Sequence, residues 1–319
     1  MRRPERWNTA AVRMVYLILA HDNRAQLDLL IERLLGPGGE DFAVIHADRA
    51  SPLWPELRAS LPEAAGRVHL VADPVAVRWG HSSLVEAIAK LVREAVRLGS
   101  EGAHLISGAD WPVTPREAIA QTMRKGLCHI EVRPGHMEER MQTFRLDTRW
   151  LRLDPARDRR AYAATWELRR LARWADAARN RLGLPRSRPY GLWAYGSGWW
   201  SLPADVLAML DKEMPRLLTS GRLRGTVCSD EHVVPTLVAH AFPERIAAHR
   251  RYVDFPAGAS SPRMLTAADL PAIASSGAWF ARKVDVTHEP DFLTLPDFHP
   301  APMAHPASMR GKLPVSGQA

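Results

Sequence analysis

The run Thr226-Val227-Cys228-Ser229-Asp230-Glu231-His232 holds two adjacent carboxyls, and Ser229 or Asp230 can start a helix there. That start places Glu231 in the first helical turn. A carboxylate fixed at such a point can act as a general base toward a hydroxyl proton, or it can be no more than a favourable charge on the helix dipole. Phe280-Ala281-Arg282-Lys283-Val284-Asp285, with Arg263 upstream, sets two neighbouring cations in an apolar context. They fit either an exposed strand edge or a clamp for a diphosphate. His46-Ala47-Asp48 is a D-x-D metal motif with one arm missing, so Asp48 is left to hold a ribose or base, or to cap a helix. Cys128-His129-Ile130-Glu131, followed by His136, gathers metal-ligating residue types. In a strand, however, Cys128 and Ile130 face away from His129 and Glu131, and no metal site is expected. Trp199-Trp200 follows Gly196 and Gly198; flat rings of this kind stack on sugars as readily as they fill cores.

Such side chains need a scaffold, and the first half of the chain supplies one. Residues 12–20 form a continuous apolar run suited to a strand covered on both faces. Its stretch 14–20 is at the short limit for a secretory signal and is followed by no small-x-small cleavage site. Asp22 or Asn23 can cap a helix with Leu27, Leu30, Ile31 and Leu34 on one face, stopped by Gly36. Residues 41–47, 67–72 and 103–107 read as further strands. Between the last two, Ser83-Leu84-Val85-Glu86 predicts a capping box, opening a helix with Leu84, Ile88, Leu91, Ala95 and Leu98 on its buried face and Gly99 at its end. The alternation predicts an α/β fold, a mostly parallel central sheet with helices on both faces. Sheets of this type bind ligands at the carboxyl ends of their strands, where His21, Asp48 and Ser107-Gly108-Ala109-Asp110 fall. Further on, residues 161–182 predict a basic amphipathic helix with Leu168, Leu171, Ala175, Ala178 and Leu182 as its buried stripe. Residues 196–202 read as a strand and 204–218 as a helix. The Pro- and His-rich stretch 286–319 has no periodicity and is expected to be extended or disordered.

Composition narrows the class. Of 319 residues, 46% are hydrophobic and 24% charged, which excludes a largely disordered chain; two cysteines exclude a disulfide scaffold. No apolar stretch approaches the ~20 residues that span a bilayer. A P-loop, a G-x-G-x-x-G after the first strand and a G-x-S-x-G elbow are all missing, so ATPase, dinucleotide and serine-hydrolase readings lose their usual support. Lys plus Arg is 43 against 35 acids, a net charge of +8, and the lysines are only Lys90, Lys125, Lys212, Lys283 and Lys312. Arginine's planar fork suits phosphate and carboxylate. Nucleic acid, a lipid surface and a nucleoside diphosphate all satisfy that balance.

Seven segments, taken in order, carry a resemblance. They are Tyr16-Leu17-Ile18-Leu19-Ala20-His21; Ile45-His46-Ala47-Asp48-Arg49-Ala50-Ser51; Val77-Arg78-Trp79-Gly80-His81-Ser82-Ser83-Leu84-Val85-Glu86-Ala87; and Leu105-Ile106-Ser107-Gly108-Ala109-Asp110-Trp111-Pro112. Gly196-Ser197-Gly198-Trp199-Trp200-Ser201-Leu202, Ser229-Asp230-Glu231-His232 and the 280–285 run complete the set. Together they resemble the core-2/I-branching β-1,6-N-acetylglucosaminyltransferase and peptide O-xylosyltransferase family (glycosyltransferase family 14). The resemblance implies a Rossmann-like fold of the glycosyltransferase A type over residues 12–285. Residues 12–113 would form the nucleotide-binding half and 114–285 the acceptor-binding and catalytic half. It further implies an inverting, metal-independent transfer of GlcNAc or xylose from a UDP-sugar to an acceptor hydroxyl, with no cofactor.

By position in the motifs, Glu231 matches the family's catalytic base. Arg263 and Lys283 match its diphosphate contacts, and Arg282 the extra cation of the xylosyltransferase branch. His21, Asp48 and Trp79 fall on the nucleotide-sugar side, and Asp110, Glu131, Arg140, Trp199 and Trp200 on the acceptor side. Met137 stands where the N-acetylglucosaminyl branch has a lysine. The chain shows neither the anchor and stem nor the disulfides of animal members. The expectation is therefore a compact cytoplasmic enzyme building a surface glycan, with a glycan or other hydroxyl acceptor. A peripheral contact at the inner membrane is expected with it, and nucleic acid is not expected as a partner. The rival reading is a non-catalytic protein that binds a UDP-sugar or an anionic surface.

Overall fold

The computed structural model describes residues 13–61, 66–143, 153, 158–182, 186–259 and 261–299. Its first strands follow from apolar runs buried on both sides. β1 (Met14–Ala20), β2 (Phe42–Ala47), β3 (Val68–Leu70) and β4 (Gly102–Ser107) lie side by side in the order β4-β1-β2-β3, all parallel. Alternation sorts the β1 side chains between two cores. Met14, Tyr16 and Ile18 face one, with Leu27, Leu30 and Leu34 of α1 (Arg24–Leu35) and Leu57 of α2 (Leu53–Ser60). Val15 and Leu17 face the other, with Val85, Ile88 and Val92 of α3 (Ser83–Arg97). The layered α/β arrangement is the one the alternation of elements predicts. Asn23, in a left-handed conformation, caps α1 by accepting from the Gln26 amide at 3.2 Å, a contact worth about 1 kcal/mol.

The second half extends the same sheet. After β5 (Asp110–Pro112) and α4 (Arg116–Met123) come β6 (Cys128–His129), β7 (Arg133–Pro134) and α5 (Glu139–Gln142). Next are α6 (Arg159–Ala164), α7 (Trp166–Arg181), β8 (Ala194–Tyr195), β9 (Ser201–Pro203), α8 (Ala204–Thr219) and α9 (Asp230–Ala241). β10 (Ile246–Ala247), β11 (Arg251–Val253), α10 (Leu270–Ser276) and β12 (Phe280–Arg282) follow. The central sheet runs β10-β6-β9-β4-β1-β2-β3, with β9 antiparallel to both neighbours. A three-stranded sheet, β11-β12-β5, sets Arg282 opposite Asp110. Arg251 bolts the two sheets together. Its guanidinium is buried, stacks 4.7 Å from the Phe280 ring centre, and donates to Trp200 O at 2.8 Å and Ser201 Oγ at 3.0 Å.

Several expectations need correction. Ser83 is already inside α3 and its hydroxyl accepts from the Arg78 amide, so the predicted capping box does not form. The face of α3 that packs includes Val85, Ala89 and Val92, because the helix lies between the sheet and α8, while Leu84 and Leu98 are only half-buried. The segment 161–182 is two helices. Of α7 only Ala172 is buried; Leu168, Leu171, Trp174 and Leu182 are exposed rather than forming a hidden stripe. Residues 286–299 are not an unpacked tail. Val286, Phe292 and Phe298 enter the α1-side core, and Trp111 Nε1 donates to Phe292 O at 3.2 Å. Residues 300–319 lie outside the described set, as does the start of the predicted first strand at 12. Among the described residues no helix is long and apolar enough to cross a membrane.

Candidate active site

The candidate side chains fall into two clusters, one of carboxylates and one of cations. On one side is the carboxylate cluster. Glu231, second residue of α9, accepts from Arg140 Nη1 through Oε2 at 2.5 Å. Burial pushes the Glu231 carboxyl up, with Arg140 opposing and Glu131 adding to the rise. Its neighbour Asp230 is pushed up to about 7, by burial first and by Glu231 second. Two interacting carboxyls of this kind give up their protons in coupled steps. Glu131 accepts from Ser197 N at 3.0 Å and from the Arg133 guanidinium. Tyr195 sits among these groups, with the Arg133 and Arg140 guanidiniums 5.3 and 6.0 Å from its ring centre.

Gly196 is what lets these carboxylates converge. Its amide donates to Glu231 O at 2.9 Å, and a Cβ built there would lie 1.9 Å from Glu131 O. Only a residue without a side chain permits that approach. The segment then runs through Ser197 and Gly198 to Trp199, whose ring lies 4.0 Å under the Arg282 guanidinium. Thus one short stretch links the carboxylate side to the cationic side.

On the cationic side, Asp110 is buried and accepts from Ser107 N and, at 3.0 Å, from Arg282 Nη1. Arg282 also donates to Ser107 Oγ. Lys283 donates to Ser261 Oγ at 2.7 Å, and burial together with Arg282 pulls its ammonium down from the usual lysine range. Arg263 is spent on two acids: Nε to Asp254 at 2.6 Å, and Nη1 and Nη2 to Asp269 at 2.9 and 2.5 Å. The loop it fixes meets Lys283, because Leu265 N donates to Lys283 O at 2.8 Å.

The loop after β3 is latched to the end of β2. His46 Nε2 accepts from Val75 N at 2.8 Å, and Asp48 Oδ1 accepts from Val77 N at 3.1 Å. Burial holds His46 neutral, its pKa lowered to about 4. The His46-Ala47-Asp48 motif therefore ties down residues 75–77. Beyond them Gly80 O accepts from Cys228 N at 3.0 Å, just before α9. Trp79 is 62% exposed and His21 is exposed at the strand end.

The structure pairs Glu231 with Arg140 and Glu131 with Ser197 N in one cluster, and Arg282 with Trp199 and Asp110 in another, and the 196–199 segment links the two. It does not bring Trp200 or Asp110 to an acceptor surface. Trp200 is 1% exposed and packed in the α3-side core, since alternation along the segment turns it away from Trp199. Asp110, equally buried, positions Arg282 instead. Sequence reasoning missed Tyr195 and Ser261, which no motif signals, and gave Asp230 no role of its own. Among the described residues no group of three or more His, Cys, Asp or Glu side chains could hold a metal ion.

A carboxylate cluster joined through the 196–199 segment to a cation cluster, on an α/β scaffold, is an arrangement suited to group transfer. The model of the Core-2/I-Branching enzyme family matches residues 14–274, and the chain belongs to that family of glycosyltransferases. No curated protein gave a significant match. Solved structures overlap only distantly. The Saccharomyces cerevisiae mannosyltransferase Ktr4p is 11% identical, with TM-score 0.36, over 75% of this chain and 69% of that one. The bifunctional glycosyltransferase WbbM is 11% identical, with TM-score 0.40, over 85% of this chain and 45% of that one. Mouse xyloside xylosyltransferase 1 is 11% identical, with TM-score 0.33, over 85% of this chain and 96% of that one. Overlaps this loose say nothing about donor or acceptor.

Proposed function

We propose that this glycosyltransferase moves GlcNAc or xylose from a UDP-sugar to an acceptor hydroxyl with inversion, without a metal, and with Glu231 as the base. The observation that carries the reading is that the Gly196–Trp199 segment joins Glu231, paired with Arg140, to Arg282 and its neighbour Lys283. Glu231 takes the acceptor hydroxyl's proton as that oxygen attacks the anomeric carbon in line. The bond from that carbon to the β-phosphate oxygen breaks, and its electron pair leaves with UDP. Arg282 and Lys283 neutralise the charge that develops there, as a metal ion does in D-x-D enzymes. A preorganised donor of this sort is worth roughly 3–4 kcal/mol in the transition state. Arg263, saturated by Asp254 and Asp269, acts through the loop that carries Lys283 rather than on the diphosphate itself.

Glu131, Arg140 and Trp199 line the acceptor side. His21 and Trp79, both exposed, contact the nucleotide in this reading, and Asp48 holds the loop at Val77. Gln in place of Glu231 keeps the size and removes the basicity. Glu231→Gln therefore binds UDP like the wild type and loses transfer; full transfer in that variant refutes the assignment.

The exposed arc of α7 supports a peripheral contact with an anionic membrane. Leu171 is 61% and Trp174 69% exposed, and Arg170, Arg173 and Arg181 lie on the same helix. Helices with this combination lie in the interface of anionic bilayers. Leu171→Asp should abolish sedimentation with phosphatidylglycerol vesicles; unchanged sedimentation removes the contact.

A further inference from the structure

Glu231, Glu131 and Asp110 each hold a guanidinium, those of Arg140, Arg133 and Arg282. Asp230, the first residue of α9, is bound differently. Among the described residues the only hydrogen-bond donor on its carboxyl is its own backbone amide, and Arg140 acts on it from a distance. The side chain is half-buried. A partly enclosed carboxyl with acceptor sites to spare is a point where the hydroxyl of a ligand can dock.

The position of that carboxyl follows from the linking segment. At one end the Gly196 amide donates to Glu231 O at 2.9 Å; at the other the Trp199 ring lies 4.0 Å under Arg282. These two anchor points are three residue steps apart, at most about 11 Å of chain. Gly198 falls between them. A Cβ built on Gly198 would meet, outside its chain neighbours, a single described atom within 4 Å: Asp230 Oδ2, at 3.8 Å. The Gly198 backbone is not left-handed, so no conformational need explains a glycine there. What the missing side chain supplies is open space in front of Asp230.

We propose that Asp230 binds the transferred sugar, its carboxyl hydrogen-bonded to a ring hydroxyl of the donor over Gly198. The assignment rests on the transferase reading, in which the anomeric carbon sits between the acceptor oxygen at Glu231 and the phosphate oxygen at Arg282 and Lys283. The sugar then crosses the middle of the segment, where Gly198 and Asp230 are. Burial and Glu231 push the Asp230 carboxyl up to about 7, so it can donate as well as accept, and a sugar hydroxyl answers either. GlcNAc and xylose both offer ring hydroxyls. The contact therefore separates a sugar nucleotide from UDP rather than one donor from the other.

The test titrates UDP, UDP-GlcNAc and UDP-xylose into the protein by calorimetry, in EDTA and without acceptor. Asp230→Ala removes the carboxyl and leaves a good helix former at the start of α9. Gly198→Val keeps the carboxyl and fills the space before it. In both variants the sugar nucleotide that the wild type prefers should bind about tenfold more weakly or worse, while UDP binds as in the wild type. Tenfold is about 1.4 kcal/mol, within reach of one hydrogen bond to a charged group. Sugar-nucleotide affinity unchanged in either variant, UDP affinity falling by the same factor, or a wild type that binds UDP and neither sugar nucleotide overturns the proposal. If both variants lose the sugar nucleotide selectively while Glu231→Gln keeps full transfer, the sugar contact stands and the base assignment fails. If Glu231→Gln abolishes transfer while Asp230→Ala binds the sugar nucleotide like the wild type, the reverse holds.

Discussion

Arg140→Met removes from Glu231, the proposed base, the partner that favours its ionised form. Arg140 Nη1 lies 2.5 Å from Glu231 Oε2, and the two side chains are 28% and 31% exposed, so water screens the pair only in part. Hydrogen bonds to charged groups contribute about 1.5–3 kcal/mol. At about 1.4 kcal/mol per factor of ten, losing this one raises the proton affinity of Glu231 about 10- to 100-fold. Burial and Glu131, which both favour the protonated carboxyl, are then unopposed. With Glu231 as the proposed base, transfer requires its ionised form, so the acid limb of the kcat/KM profile moves to higher pH. Below that limb the rate falls about 10- to 100-fold, whereas the alkaline plateau survives. A lost acceptor contact would instead lower the whole profile evenly, so the position of the limb is the quantity to read. An acid limb unmoved in Arg140→Met refutes the electrostatic coupling.

Asp230→Asn should leave that limb in place, because Glu231 helps push the Asp230 carboxyl up to about 7 whereas Glu231 itself is shifted by burial, Arg140 and Glu131; a limb that moves contradicts this. Lys283→Ala should weaken UDP binding and reduce transfer about 100- to 1000-fold, as read by UDP titration and steady-state kinetics; wild-type kinetics would dismiss Lys283 from the leaving-group site. Stability should decline as pH falls from about 6.5 to about 4. His46 and His232 are held neutral with pKa values lowered to about 4 by burial. The unfolded chain takes up protons in that window that the folded chain refuses, costing up to about 3 kcal/mol per histidine. Melting temperatures across the window, with NMR titration of the two rings, check this; flat melting temperatures, or rings already protonated at pH 6, contradict it.

Much of the scaffold was legible because it depends on local pattern. β1, β2 and β4 are continuous apolar runs, and the caps at Asn23 and Gly36 are set by side chains within one turn. Glu231 was legible for the same reason, since Ser229-Asp230 begins α9 where the motif suggests. What failed depends on partners distant in the chain. Arg263 read as an available cation, yet Asp254 and Asp269 come from residues nine before and six after it in a fold that no periodicity reports. His46 read as half a metal motif, and its actual partner is the amide of Val75, 29 residues on. For α7 the sequence shows an apolar stripe but not what covers it. For Trp199-Trp200 it shows two rings and not which one faces the core. Phe292 and Phe298, in a stretch without period, join the core that holds Trp111 and Tyr16, the Phe298 ring centre 6.1 Å from that of Tyr16 and the Phe292 carbonyl accepting from Trp111 Nε1.

The decisive measurement is UDP release from UDP-GlcNAc and from UDP-xylose in EDTA, with wild type and Glu231→Gln side by side. The prediction is turnover of one donor by the wild type without added metal, and loss of that turnover in Glu231→Gln with UDP affinity intact. A strict requirement for Mn²⁺, turnover of neither donor, or full activity in Glu231→Gln would contradict it.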